Sequence, residues 1–404
     1  MKEAGPSFSF PTEVVREGTT SVVVPRLEAF VEKAWEYAPS KAPVFYNPIM
    51  ELNRDLAVMA LQAYQKLVDR KISACEPLSG CGIRGIRLAV EVEGVNRIVL
   101  NDINEKAAKL AGFNVQYSNL GKRISVMNED AGLLLSRFAA PRRRFDYIDV
   151  DPFGSPVPYM DSAIRALRDN GLLALTATDL ASLCGVHPRA CVRKYGGRPL
   201  RTEYCHELAV RLLAGCLTMT AAKHEMGIEV LFSHSTHHYI RVYAAAHYGA
   251  RRADTAIQKM GYVIHCFTCF HREISRGLFS SLKQECPECG SAMSAAGPLW
   301  LGKISDEAFC AAMERALGER KLRNRKTILR LLSLAKGEAQ APLTYYVTDK
   351  ICDRLSLPIP PLIEVLKALG KAGFQATPTH FSSRGIRTDA PASVVKGIVA
   401  KLVT

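Results

Sequence analysis

Between Lys71 and Thr178 the sequence alternates short apolar segments with helical ones in a regular order. Lys71–Glu76 reads as a strand, Leu78–Gly85 as a glycine-rich turn and Ile86–Val92 as a helix. Arg97–Asp102, Ile124–Met127, Phe145–Asp151 and Gly171–Thr178 read as further strands, with Lys106–Ser118 and Met160–Leu167 helical between them. Strands separated by helices in units of roughly 30 residues predict a parallel, doubly wound α/β sheet. A helix over Glu51–Asp69 precedes the run, its apolar positions Leu52, Leu56, Met59, Ala60, Ala63 and Leu67 recurring at helical spacing. Residues 1–48 are rich in proline and read as an irregular arm with short strands. Val230–Leu231 and Ile240–Ala245 read as later strands.

The acids in this run point to a ligand. Glu76, Asp102, Asp130 and Asp151 each stand at or just after the C-terminal end of a strand, the edge at which open α/β sheets bind ligands. Gathering carboxylates there is costly unless something partners them. The turn Glu76-Pro-Leu-Ser-Gly80-Cys-Gly82-Ile-Arg84-Gly85 lets backbone pass close to a ligand and leads to a helix N-terminus. As a structural feature alone it is a tight turn. Asp102, twenty residues after Gly82, is placed for the two ribose hydroxyls of an adenosine. Nothing here cradles a pyrophosphate, so the set suits S-adenosylmethionine better than a dinucleotide.

After the fourth strand comes Asp149-Val-Asp151-Pro-Phe153-Gly-Ser-Pro156. An exocyclic amine on a base is a poor nucleophile because its lone pair is delocalised into the ring. A carboxylate and a carbonyl that accept its N–H bonds turn that lone pair toward an electrophilic methyl group. A neighbouring aromatic ring can stack on the base. The string therefore resembles the catalytic loop of amino-directed methyltransferases.

Four of the twelve cysteines form two C-x2-C knuckles, Cys266-Phe-Thr-Cys269 and Cys286-Pro-Glu-Cys289. This spacing predicts a tetrahedral zinc site with no open position, hence a structural one. His265 and His271 are bystanders, and His234, His237 and His238 are read as packed or solvated. The other cysteines are scattered and expected to be reduced.

Charge separates the chain into halves. Residues 1–240 hold 29 basic and 26 acidic side chains, and residues 241–404 hold 24 and 13. A basic rear half predicts a polyanion partner, most simply nucleic acid. Arg315, Arg320, Lys321, Arg323, Arg325, Lys326 and Arg330 set seven cations against the single acid Glu319, either as phosphate contacts or as a solvated helix face. Phe381-Ser-Ser-Arg384-Gly-Ile-Arg387 suits a loop that reads RNA by stacking and phosphate pairing. No apolar run reaches membrane-spanning length, and Met1–Phe10 has no apolar signal core, so the expectation is a cytoplasmic protein.

Four strings together resemble the tRNA (guanine-26 N2)-dimethyltransferase family, archaeal type: Phe45–Asp55, Leu78–Gly85, Asp149–Pro156 and Thr379–Asp389. Asp179–Gly185 and Glu203–Glu207 are similar to that family as well. The resemblance implies an α/β fold: a class I methyltransferase (Rossmann-like) domain over 1–258, and a basic C-terminal α+β tRNA-binding domain over 259–404. The second would contain a zinc module over 262–293 and a helical, winged-helix-like part over 305–404. It implies methyl transfer from S-adenosylmethionine to the N2 amine of guanosine 26 in tRNA. Arg54, Arg84, Asp102, Asp130 and Ala131 would line the cofactor site, Asp151 would hold the amine, and Phe45 and Phe153 would sandwich the guanine. Cys266, Cys269, Cys286 and Cys289 would hold the zinc. No protein partner is implied. The rival reading is a non-enzymatic, zinc-containing nucleic-acid-binding regulator whose α/β half senses a ligand. A sensor has no need of Asp151-Pro-Phe153.

Overall fold

The computed structural model describes residues 8–31, 37–318 and 320–403. The start of the signal-core reading, at Met1–Ser7, and the acid Glu319 lie outside the described residues. In chain order the elements are β1 (Thr12–Glu17), β2 (Thr20–Pro25), α1 (Glu51–Val68), β3 (Ile72–Glu76), α2 (Ile83–Glu91), β4 (Val95–Asn101), α3 (Glu105–Tyr117), β5 (Ile124–Met127), α4 (Ala131–Phe138), β6 (Phe145–Val150), α5 (Val157–Ala166) and β7 (Leu167–Ala177). There follow α6 (Leu180–Leu183), α7 (Pro188–Tyr195), α8 (Cys205–Ala222), β8 (Met226–Thr236), β9 (Tyr239–Tyr248), α9 (Ala250–Ile257), β10 (Met260–His265), β11 (Arg272–Arg276), β12 (Ser294–Trp300), α10 (Glu307–Leu317) and α11 (Arg325–Glu338). The chain ends with β13 (Tyr346–Val347), α12 (Thr348–Leu355), α13 (Leu362–Lys371), β14 (Ala376–Thr379), β15 (Ser382–Thr388) and α14 (Ala392–Lys401).

The main sheet has seven strands in the order β5-β4-β3-β6-β7-β9-β8. Strands β3, β4, β5 and β6 run parallel, as the strand–helix alternation predicts. The β8–β9 hairpin is antiparallel, so the sheet is mixed and not wholly parallel. These two strands are also far longer than the short apolar runs that announce them. Glu229, His234 and Arg241 interrupt the apolar pattern, yet His234 and Arg241 are buried. The Arg241 guanidinium is satisfied by the Tyr243 hydroxyl at 2.8 Å and the Thr176 hydroxyl at 2.5 Å.

The chain divides into two compact units. The first comprises residues 1–151, 162–174 and 312–329. Its N-terminal arm is more regular than predicted: β1 and β2 form an antiparallel hairpin. Asn114 of α3 receives the Val23 amide and donates to the Val23 carbonyl, both at 2.8 Å, which pins β2 to the helix. The second comprises residues 152–161, 175–311 and 330–404. There β11, β10 and β12 form one small antiparallel sheet, and β13, β15 and β14 form another. Helices α12, α13 and α14 cover a core of Tyr346, Ile351, Val365, Leu369, Ile386, Val395 and Val399.

The basic stretch 315–330 runs from the end of α10 into the start of α11. Gly318 takes a positive φ of 41° and stops α10, while the Arg320 side chain caps the Ala316 carbonyl at 3.0 Å. No helix among the described residues is long and apolar enough to cross a membrane.

Candidate active site and cysteine clusters

The strand order β5-β4-β3-β6 lines up four acids at neighbouring strand ends. Glu76 closes β3, Asp102 follows β4, Asp130 follows β5 and Asp151 follows β6. Between β3 and α2 the glycine turn is dense. A Cβ at Gly82, whose φ is +81°, would lie 3.0 Å from Leu100 and 3.2 Å from Ala111. A Cβ at Gly80 would lie 2.9 Å from the Phe45 carbonyl oxygen, so glycine lets Phe45 backbone close over the turn. Asp102 receives the Gly80 amide at 2.8 Å and the Asn104 amide at 2.9 Å, tying the turn to the start of α3. Asp130 is exposed and caps α4, accepting from the Leu133 amide at 2.9 Å, and Ala131 is the buried first residue of that helix. The Ser79 hydroxyl is buried in the turn without a hydrogen-bond partner. An orphaned hydroxyl beside strand-end carboxylates fits a polar, adenosine-bearing ligand.

Arg84, only 4% exposed, is the hub of the site. It lies on α2 and reaches Glu76 at 3.2 Å, Asp149 at 2.7 Å and the Asp151 Oδ2. Tyr147 donates its hydroxyl to the other oxygen of Asp149. Glu76 also receives the Gly85 amide at 3.0 Å. Burial pushes the Glu76 carboxyl up to about 8, against the opposing pull of Arg84, and neighbouring Asp149 adds to the rise. Arg84 thus ties together the carboxylate cluster of Glu76, Asp149 and Asp151.

Phe153, two residues past Asp151, is 70% exposed. The next residue, Gly154, takes a φ of +78°, donates to the Thr178 hydroxyl at 2.7 Å and accepts from the Thr178 amide at 2.9 Å. The loop is therefore anchored just beyond its aromatic residue. Phe45 is half-buried in the first unit.

Arg54 is held by buried partners. It grips Glu17 at 2.8 and 2.6 Å and the Asn47 carbonyl at 3.0 Å. Glu17 further receives the Tyr46 hydroxyl and faces Arg87, which reaches Asp55 at 2.7 Å and Glu91 at 2.9 Å. Sequence reading misses this buried network. Its one sequence signal is the i,i+4 spacing of Arg87 and Glu91.

The four knuckle cysteines converge, with all four sulfurs within 4.8 Å of one another. Cys266 and Cys289 are 3.5 Å apart, as are Cys269 and Cys286. Four sulfurs at about 2.3 Å from a zinc ion stand about 3.8 Å apart, so the set fits the metal. His265 and His271 lie outside the cluster. His234 is packed against Phe232 and Tyr239.

The C-terminal motif needs correction. Arg387 is 2% exposed and bound to Glu338 and, at 2.9 Å, to Glu207, so it is no phosphate reader. Phe381 stacks on Tyr345 with centroids 6.0 Å apart. Of the two arginines only Arg384 is exposed, and it lies 3.8 Å from Asp349. In the basic segment, Arg320 reaches the Glu91 carbonyl at 2.7 Å and Arg323 approaches Glu51 at 3.4 Å, while Arg315, Lys321 and Lys326 are exposed.

A family model described as N2,N2-dimethylguanosine tRNA methyltransferase matches residues 19–400. A relative from Methanobrevibacter smithii, named tRNA (guanine(26)-N(2))-dimethyltransferase, is 42% identical over 393 residues, 97% of this chain and 98% of its own. One from Aquifex aeolicus, named tRNA (guanine(26)-N(2)/guanine(27)-N(2))-dimethyltransferase, is 35% identical over 382 residues, 93% of each. The solved structure of Trm1 from Pyrococcus horikoshii with S-adenosyl-L-methionine matches with a TM-score of 0.83 at 35% identity, covering 96% of this chain and 99% of that one.

Proposed function

Because the chain belongs to the N2,N2-dimethylguanosine tRNA methyltransferase family, we propose that it methylates the N2 amine of guanosine 26 in tRNA, giving N2-methylguanosine and N2,N2-dimethylguanosine. S-adenosylmethionine supplies the methyl group as an electrophile on sulfur. Arg54, Arg84, Asp102, Asp130 and Ala131 line its site, and the Ser79 hydroxyl is a further donor there.

The observation that carries the reading is the position of Asp151. It follows β6 directly, Arg84 holds its Oδ2, and Pro152-Phe153 comes next. With Oδ2 engaged, Oδ1 accepts an N–H of the guanine amine, turns the lone pair toward the methyl group and takes up the proton the amine sheds. Phe45 and Phe153 stack on the base, which must leave its helical stack to be reached. The knuckle zinc, closed by four thiolates, is structural. Residues 1–258 act as the methyltransferase domain and 259–404 as the basic tRNA-binding domain, its 305–404 part winged-helix-like. The enzyme works in the cytoplasm.

The test is mass spectrometry of nucleosides from a tRNA transcript incubated with the protein and S-adenosylmethionine, beside a transcript with adenosine at position 26. Methylated guanosine from the first transcript alone is expected. Binding without methylation would favour the regulator, and equal methylation of both transcripts would move the target.

A further inference from the structure

A second cluster of metal-ligating side chains lies in the second unit, apart from the knuckles. Cys184, Cys205 and His206 bring two sulfurs and an imidazole nitrogen within 4.8 Å of one another. Cys184 ends α6, and its amide donates to the Leu180 carbonyl at 2.7 Å. Cys205 is the first residue of α8, an 18-residue helix, and its amide donates to the Thr202 carbonyl at 3.2 Å. Cys184 and Cys205 stand 21 residues apart in sequence, and the glycine at position 185 lets their segments approach closely. Gly185 has a φ of +88°, and a Cβ there would lie 2.9 Å from the Arg201 nitrogen and 3.0 Å from the Leu200 carbonyl carbon. The two segments are thus in backbone contact, and the donors are set on it. Cys184 is buried, whereas Cys205 and His206 are half-buried, which leaves a route for an ion to enter.

We propose that Cys184, Cys205 and His206 bind a second zinc ion, with water in the fourth position. Two thiolates and a neutral imidazole are zinc ligands, and tetrahedral coordination sets such donors about 3.3–3.8 Å apart. The ligand atoms, all within 4.8 Å of one another, would close to that separation on binding. Binding releases two thiol protons to solvent, so the dication meets two thiolates and the site is neutral. The ion joins the segment after β7 to the start of α8. Thr178, the first residue of that segment, holds Gly154 of the Asp-Pro-Phe loop through both its amide and its hydroxyl. The second zinc therefore stiffens the support of this loop, a role separate from that of the knuckle site.

The experiment is zinc stoichiometry on the full-length reduced protein, loaded with excess zinc and freed of loose ion, by elemental analysis and native mass spectrometry. Wild type should hold two zinc ions, Cys205→Ser one, Cys286→Ser one, and the double variant none. His206→Ala, a half-exposed change that keeps both thiols, should give up one zinc to a chelator at a concentration that leaves wild type fully loaded. Wild type holding a single zinc, lost in Cys286→Ser, would overturn the proposal whether or not the cysteine variants fold. So would a Cys184–Cys205 disulfide that forms in place of a second metal in protein prepared under reducing conditions. Neither result would overturn the proposed methyl transfer, which rests on other residues.

Discussion

Replacing Asp151 by Asn changes little in shape and much in hydrogen bonding. In the structure Oδ2 of Asp151 accepts from Arg84, and in the proposed reaction Oδ1 accepts from the guanine amine. An asparagine has one acceptor oxygen and one donor amide. If its oxygen stays on Arg84, its NH2 faces the NH2 of the base, donor against donor. If it turns over, its NH2 faces a guanidinium buried to 4% exposure that also touches Glu76 and Asp149. Either rotamer removes one hydrogen bond and sets up one repulsion, so the loss should sit at the upper end for a preorganised electrostatic interaction, ~10³ in the methyl-transfer step or about 4 kcal/mol. The assay is single-turnover transfer at saturating tRNA, with S-adenosylmethionine affinity measured separately by calorimetry. Affinity should be nearly unchanged. Near wild-type transfer by Asp151→Asn would refute the assignment of the amine to this carboxylate. Loss of cofactor binding together with transfer would mean that Asp151 serves the methyl donor.

Three further outcomes follow from other parts of the molecule. Burial alone would raise the Glu338 carboxyl, but His380 and Arg387 outweigh it and hold the group at about 2, below its ordinary 4.5. A lowered carboxyl contributes stability above about pH 4.5 that is lost as pH falls toward 2, here ~3 kcal/mol, so Glu338→Gln should lower denaturant stability at pH 7 by about that much and flatten the acid limb; equal stability at pH 7 would contradict it. Cys286→Ser should release the knuckle zinc and unfold the β10–β12 region while S-adenosylmethionine still binds, and calorimetry with elemental analysis would show either failing. Changing Arg315, Lys321 and Lys326 together to Gln should weaken tRNA binding and lower its salt slope by up to about one for each phosphate left without its cation, whereas an unchanged slope would make that face a solvated one.

What is legible in the sequence is the part written in local periods. The strands β3 to β6 and the acids at their ends follow from apolar runs of fixed length, and β5 falls on the expected residues. The knuckles follow from their spacing. Most of the buried electrostatic partners are not legible, because apart from the i,i+4 pairs Arg87–Glu91 and Glu207–Arg211 they are distant in sequence. Arg84 meets Asp149 across 65 residues and Asp151 across 67, and Arg54 meets Glu17 across 37. Nothing local distinguishes an arginine that will be buried against a carboxylate from one left in water. The β8–β9 hairpin outruns its apolar signal for the same reason: Arg241 and His234 read as polar breaks, and the distant Thr176 hydroxyl helps make Arg241 acceptable inside.

The Thr379–Asp389 motif makes the same point in its strongest form. Its aromatic residue and arginines look like equipment for RNA, yet Thr379 and residues 385–388, Arg387 among them, are buried. Glu338 takes the Thr379 hydroxyl at 2.6 Å, the His380 amide at 2.6 Å and the His380 ring at 2.8 Å, and Arg387 bridges Glu338 to Glu207. Glu207 in turn receives Arg211 at 2.8 Å and the Thr344 amide at 3.0 Å, so α8, α11 and the β14–β15 hairpin share one buried set of charges. Removing one member of such a set strands a charge without water or partner, at about 3–5 kcal/mol. Deleting residues 301–404 is therefore no clean test of tRNA binding. It would strip Glu207 of Arg387 and the Thr344 amide, and it would also remove residues 312–329, which belong to the first unit. The tRNA-facing cations have to be sought among the exposed side chains of the basic segment, where a surface substitution leaves the buried charges in place.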